Sequence, residues 1–62
     1  MKDKNNNLVQ KGDSVFAEPT EGDFQYAFLG KVCGERNGYI SVMDGNGDVF
    51  ECESEQIELE TN

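Results

Sequence analysis

The sequence predicts a small all-β domain in which five short strands form a strongly bent, partly open barrel, with one helical turn before the last strand. Apolar and polar residues alternate over short runs, and clusters of Gly, Asn and Asp separate these runs. The longest apolar run, residues 24–33, has no polar face at helical spacing. A flat sheet of five short strands would leave free edges, so curling is favoured.

Residues 38–53 carry the clearest local pattern, a β-hairpin. Two β-prone runs, residues 39–43 (Tyr-Ile-Ser-Val-Met) and 49–52 (Val-Phe-Glu-Cys), flank the sequence Asp-Gly-Asn-Gly-Asp at residues 44–48. The Asp-Gly and Asn-Gly pairs suit either a type I′ turn or a short bulged loop, since both need positive φ. We therefore expect Gly45 or Gly47 to adopt positive φ.

Two strands precede this hairpin. Residues 14–18 alternate as a first strand, which Pro19 ends because proline lacks the N–H that a sheet ladder needs. Residues 24–33 are long enough for a short helix, but their β-prone aromatics and Gly30 favour a strand that bends at the glycine. A turn is expected over residues 34–38, which end in Asn-Gly.

The end of the chain predicts a helical turn and a last strand. Residues 53–56 (Glu-Ser-Glu-Gln) suit a single helical turn, with Ser54 as its N-cap and Glu55 at its positive end. Residues 57–60 (Ile-Glu-Leu-Glu) then alternate as the closing strand.

Chain length and parity define one domain with one core. Residues 1–7 are polar and predict a disordered tail, residues 8–60 form the single domain, and residues 61–62 are a second tail. A chain of this length buries only about 60% of its unfolded surface, so most large apolar residues must serve the core. Strand parity assigns the core to Val15, Ala17, Phe28, Val32, Ile40, Val42, Phe50, Ile57 and Leu59.

The charge excludes several classes of partner. The chain has 13 acidic and 5 basic residues, a net charge of −8, and no basic residue follows Arg36. Such a surface repels phosphate backbones and anionic lipid, so we expect neither direct nucleic-acid binding nor membrane binding. The acidic surface either serves solubility or faces a basic partner.

Cysteine usage and the first residues indicate a location. Cys33 and Cys52 are too few for a zinc site, and the chain has no histidine. No apolar segment follows residues 1–7, so no signal peptide is expected, and no run reaches membrane-spanning length. We expect a cytoplasmic protein with free thiols, the alternative being a disulfide if the two cysteines lie on neighbouring strands.

The order of these signals over residues 12–60 resembles the Src-homology-3-like barrels and, within them, the Tudor-like domains. Residues 12–17 (Gly-Asp-Ser-Val-Phe-Ala) resemble the opening strand of that group, and residues 28–32 (Phe-Leu-Gly-Lys-Val) its aromatic-x-small-x-Val strand. Residues 40–46 (Ile-Ser-Val-Met-Asp-Gly-Asn) are similar to its third strand and turn, and residues 56–59 (Gln-Ile-Glu-Leu) to its closing strand. The resemblance implies a small barrel that binds other proteins.

Some Tudor domains hold a methylated ammonium group in an aromatic cage through cation–π attraction. Among the positions that match that cage, Phe28 alone is aromatic, while Ala27, Val42 and Gly45 replace the others. Different walls and polar partners for a cage are Phe24, Tyr26, Tyr39, Asp44 and Asn46.

The spacing of acidic residues after the third strand is similar to that of a calcium loop. Asp44, Asn46, Asp48 and Glu55 occupy positions one, three, five and twelve, but Val49 stands where such a loop needs glycine. A hairpin turn explains the same residues, so we expect no metal site. No histidine is present to act as a base for a serine or cysteine, so we expect neither an enzyme nor a cofactor.

The sequence therefore predicts a protein-interaction module whose partner combines Lys or Arg with an apolar anchor. The alternatives are an acidic decoy that mimics nucleic acid and blocks a basic protein, and an accessory domain without a ligand. The expected binding residues are Phe16, Phe24, Tyr26, Leu29, Tyr39, Met43 and Asp44. The expected acidic rim comprises Glu18, Glu21, Asp23 and Asp44. The same patch would also suit a weak homodimer, so either a monomer or such a dimer is expected.

Overall fold

A computed structural model describes residues 1–18 and 27–60, which form one five-stranded antiparallel sheet and a single helical turn. This confirms the all-β class and the number of strands. A 3₁₀ turn, Ser54–Gln56, precedes the last strand. The strands are β1 (Ser14–Ala17), β2 (Phe28–Arg36), β3 (Tyr39–Met43), β4 (Val49–Cys52) and β5 (Ile57–Leu59).

The strand order across the sheet is β4-β3-β2-β1-β5. All four pairs are antiparallel, and β4 and β5 lie at opposite edges. Within residues 1–18 and 27–60 these two edge strands do not pair with each other, so the described sheet is not closed into a barrel.

The β3–β4 connection is the bulged type of loop. Gly47 has a φ of 87°, which confirms the expectation, whereas Gly45 does not have positive φ. Gly47 N–H donates to Asp44 O at 3.3 Å and Asp44 N–H donates to Asp48 O at 2.9 Å. This pattern is a three-residue loop closed by a left-handed glycine, and it excludes the type I′ alternative.

The β2–β3 connection is shorter than expected. Asn37 and Gly38 have φ values of 54° and 83°, so these two residues alone make a type I′ turn. The expected turn over residues 34–38 is therefore wrong in its extent, because β2 continues to Arg36. A register shift between Val32 and Gly34 lets the strand continue pairing with β3. Of the expected strand over residues 24–33, residues 24–26 lie outside the described part of the chain.

The helical turn is capped differently from the prediction. Glu53, rather than Ser54, is the N-cap. Gln56 lies three residues later, and its side-chain Oε1 accepts the Glu53 N–H at 2.8 Å, which satisfies a donor at the start of the turn. Ser54 was expected because serine is a frequent N-cap, but the reciprocal partner at Gln56 favours Glu53.

The core lies on one face of the sheet and agrees with the predicted parity. The partly buried Phe28 and Phe50 pack on it, with ring centroids 5.1 Å apart and planes inclined by 51°. Leu59 is also only partly buried. The fully buried apolar residues are Val9, Val15, Ala17, Val32, Ile40, Val42, Cys52 and Ile57.

The N-terminal segment packs, contrary to the expectation that residues 1–7 form a disordered tail. Lys2 and Leu8 form an isolated bridge, and Val9 N–H donates to Met1 O at 2.9 Å. The polar composition of residues 1–7 does not indicate this packing, because the segment contributes its own buried hydrogen-bond acceptor, Asp3, which is only 4% exposed.

Asp3 joins this segment to the edge of β5. Its carboxylate accepts N–H groups of Asn5, Asn7 and Leu59 at 3.0, 2.8 and 2.7 Å. Lys4 N–H donates to Ile57 O at 2.9 Å. Burial by itself would raise the pKa of Asp3, but the hydrogen bonds from Leu59, Asn7 and Asn5 together lower it below the usual value.

Gly30 lies on the inner face where β2 and β3 approach closely. A Cβ at this position would lie 2.6 Å from Met43 O, 2.7 Å from Val42 Cγ1 and 3.0 Å from Phe28 Cε2. The absence of a side chain therefore lets the Phe28 ring and Val42 fill this part of the core.

A pair of glycine substitutions tests this close approach. Gly30→Ala should lower the free energy of unfolding by about 1–3 kcal/mol, because the methyl group overlaps main-chain and core atoms. Gly45→Ala is the control, since nothing lies within 4 Å of its Cβ position and its φ is not positive. The control should change stability by less than about 0.5 kcal/mol in urea unfolding. Equal effects of the two substitutions would contradict the proposed packing.

The lowered pKa of Asp3 should make the stability of the fold depend on pH. Its pKa is lowered in the folded chain, so its contribution is present above the unfolded pKa of about 3.9 and is lost as pH falls through the folded pKa. Asp3→Asn should cost about 1–3 kcal/mol at pH 7, and the difference from the parent should shrink below about pH 4. The exposed Glu55→Gln is the control and should keep the parent's profile. A pH-independent difference for Asp3→Asn would show that the carboxylate charge is not what matters.

Candidate functional site

The outer face of the sheet, opposite the core, carries large exposed apolar side chains. Their exposed fractions range from 40% at Met43 to 52% at Val49. Alternation places them there, because each neighbours an inward-facing core residue along its strand. On the strands they are Phe16, Leu29, Tyr39, Met43 and Val49.

Strand register arranges four of these side chains as two cross-strand pairs on one face. Phe16 on β1 lies opposite Leu29 on β2, and Met43 on β3 lies opposite Val49 on β4. Lys31, two residues after Leu29 on the same face, lies opposite Met43 and links the two pairs. We call Phe16, Leu29, Met43 and Val49 the outer stripe. Leu29 and Met43 are diagonal neighbours across β2 and β3, a relation in which residues are about 7–8 Å apart, so the two pairs lie side by side on this face.

The structure places the expected apolar and aromatic binding residues in three groups. Phe16, Leu29 and Met43 belong to the outer stripe. Tyr39 is also exposed on this face, but it lies at the far end of β3, opposite Arg36. Phe24 and Tyr26 lie outside the described residues.

The Asp44 side chain stabilises the β3–β4 loop. Its Oδ1 accepts the N–H groups of Asn46 and Asp48, each at 2.9 Å. The aspartate thus holds the loop by side-chain-to-main-chain hydrogen bonds, as aspartates at turns commonly do. Its assignment as a binding residue remains a prediction.

Val49 is a stripe residue that sequence reasoning missed. Its alternation with the inward-facing Phe50 and Cys52 could have revealed its outward orientation. None of the expected binding residues lies on β4, because an outward residue of β4 joins the site only through the position of β4 beside β3 and the register Met43–Val49.

Acidic residues flank both ends of the outer stripe. Glu58 lies opposite Phe16 on β5, and Glu51 lies two residues from Val49 on the same face of β4. Lys4 Nζ also forms an ion pair with Glu58 Oε2 at a distance of 3.1 Å. The hydrogen bond from Lys4 to Glu58 and the negative charge of Glu58 raise the pKa of Lys4. Of the expected acidic rim, Glu18 is exposed and Asp44 is half-buried, while Glu21 and Asp23 lie outside the described residues.

The outward edge of β4 is open within the described residues. The Asp44–Asp48 hydrogen bond sets the alternation of the ladder, so Phe50 and Cys52 exchange main-chain bonds with β3. The main-chain groups of Val49 and Glu51 therefore point away from β3. Residues 1–18 and 27–60 provide no hydrogen-bond partner for them.

The cysteines and carboxylates offer no assembled metal or redox centre in the described part of the chain. Cys33 and Cys52 are both free thiols, so the disulfide alternative is not observed. Cys52 faces the core, and burial raises the pKa of its thiol. No group of three or more metal-ligating side chains lies together among residues 1–18 and 27–60.

The position of Phe28 bears on the aromatic cage. Its ring is on the inner face against Phe50, whereas Tyr39 is on the outer face. These two aromatic side chains therefore lie on opposite faces of the sheet and do not form the walls of one cage.

Comparisons with known proteins identify no relative. No protein-family model matches the chain, and neither the curated proteins nor the solved structures contain a match. The helical turn among the described residues is far too short to span a bilayer.

Proposed function

We propose that this chain is a small, non-catalytic protein-interaction domain that binds a segment with basic and apolar side chains. The single observation that carries the proposal is the outer stripe. Four apolar side chains, each at least 40% exposed, lie on one face of β1 to β4 as two neighbouring cross-strand pairs. Contiguous exposed apolar surface on a small domain often marks an interaction site.

The chemistry of the partner follows from the surroundings of the stripe. The apolar side chains would supply affinity by excluding water, as anchors at protein interfaces do. The net charge of −8 and the flanking Glu51 and Glu58 favour Lys or Arg in the partner, and these charges would mainly speed the encounter. Lys31, within the stripe, can lay its alkyl chain along the apolar surface.

We infer a Src-homology-3-like, Tudor-like arrangement, supported by the strand signals over residues 12–60 and by the Gly30 close approach that permits curling. We also propose a cytoplasmic setting, supported by the two free cysteines. The chain would act as a monomer or weak homodimer.

The acidic decoy is the second candidate, supported by the absence of basic residues after Arg36. Charge mimicry needs only acidic groups, however, and does not explain an apolar stripe that a solubility-promoting surface would avoid. The two candidates therefore differ in whether binding depends on the stripe or on charge alone.

Matched leucine substitutions test the proposed function. Chemical-shift mapping with peptides that combine Lys and an apolar anchor should perturb Phe16, Leu29, Met43 and Val49. Leu29→Ser should weaken binding about tenfold or more, because it removes an anchor from the stripe. Leu8→Ser is the control, since Leu8 is 63% exposed on the N-terminal segment, and it should leave the affinity unchanged.

Two outcomes would contradict this assignment. Equal affinity of Leu29→Ser and the parent would remove the stripe from the site. Competition with DNA for a basic protein that is unaffected by Leu29→Ser and lost at high salt would favour the acidic decoy instead.

A further inference from the structure

The two edge strands of the sheet differ in whether their outward main-chain groups are hydrogen-bonded within the described residues. At the β5 edge, Ile57 O accepts Lys4 N–H and Leu59 N–H donates to the Asp3 carboxylate. The N-terminal segment thus occupies the groups that another strand would need. Proteins commonly cover edges in this way to prevent unwanted strand pairing.

The β4 edge has no such cover in the described part of the chain. The N–H and C=O groups of Val49 and Glu51 point outward and lack partners among residues 1–18 and 27–60. The outer stripe also ends at this edge, because Val49 is its last member. An added strand would therefore gain main-chain hydrogen bonds and extend the apolar surface at the same time.

We propose that β4 accepts an extended segment of a partner protein as an additional strand, with basic and apolar side chains on its outward face. This inference rests on the proposed function and specifies how the partner binds. The residue of the added strand beside Val49 would be apolar. The residue two positions away, on the same face, would be Lys or Arg beside Glu51, because residues i and i+2 of a strand share one face.

The acidic charge of β4 favours a basic partner segment over a second copy of the chain. Acidic residues lie within β4 and next to its two ends, namely Asp48, Glu51 and Glu53. Pairing β4 with its own copy would bring these acids near one another across the new ladder. Like charges opposite each other destabilise a sheet, whereas Lys or Arg at these positions would be favourable.

A proline substitution tests the main-chain part of the inference. Glu51→Pro removes an N–H that points outward, and it does so without removing a bond to β3, since Glu51 does not exchange hydrogen bonds with Ser41. Proline is tolerated at such edge positions. Glu51→Gln is the matched control, because it removes the same charge and keeps the N–H.

The probe is a blocked seven-residue peptide with Val, Lys and Lys at positions 2, 4 and 6 and Thr at the other four positions. It should bind the parent chain, perturb the Val49 and Glu51 amides, and slow their hydrogen exchange. Glu51→Gln should weaken binding about two- to threefold and Glu51→Pro about tenfold or more, because only the latter removes a main-chain hydrogen bond. The circular dichroism spectrum and urea midpoint of each variant verify its fold.

A second change, made in the peptide, is independent of the variant's stability. N-methylation of the peptide groups that face β4 should abolish binding, whereas N-methylation at the intervening positions should not. Equal binding of both methylated peptides, equal affinity of Glu51→Pro and Glu51→Gln, or no binding of the probe would overturn strand addition. Loss of binding in Leu29→Ser together with unchanged binding in Glu51→Pro would retain the proposed function and reject this mode.

Discussion

The hydrogen bond from Leu59 N–H to the Asp3 carboxylate, 2.7 Å long, determines which edge of this sheet is available. It connects residues 56 positions apart and holds the first residues of the chain against β5. Val9 thereby enters the core. With the β5 edge occupied, β4 remains the edge with outward main-chain groups in the described residues. Together with the Lys4 N–H bond to Ile57 O, this buried carboxylate protects the β5 side of the sheet, whereas the β4 side has no such cover among the described residues.

The two faces of the sheet differ for a related reason. A chain of this size can fill one core, and alternation sends every second side chain to the opposite face. On the inner face, Gly30 lets the side chains of Phe28 and Val42 occupy the space that a side chain at position 30 would need. Phe16 and Leu29, opposite each other on the outer face, then have no second layer above them in the described structure. The outer stripe is the consequence, and it meets the open edge at Val49.

Local patterns predicted much of this architecture, and long-range contacts were what they missed. Alternation placed Ile40 and Val42 in the core, and the Asn-Gly pair at residues 46–47 correctly indicated positive φ in the β3–β4 loop. Asp3 was missed because its partner Leu59 is remote in sequence. Val49 was missed because an outward residue becomes part of a site only once its neighbouring strand and register are known.

The most direct test is amide hydrogen exchange of the free chain, measured by NMR at neutral pH. The Leu59 amide, which is hydrogen-bonded to Asp3, should exchange at least about a hundredfold more slowly than the same amide in a random coil. The Val49 and Glu51 amides should exchange close to the random-coil rate, while the Phe50 and Cys52 amides, which face β3, should be protected. Protection of Val49 and Glu51 equal to that of Phe50 and Cys52 would show that the β4 edge is already occupied and would contradict the account.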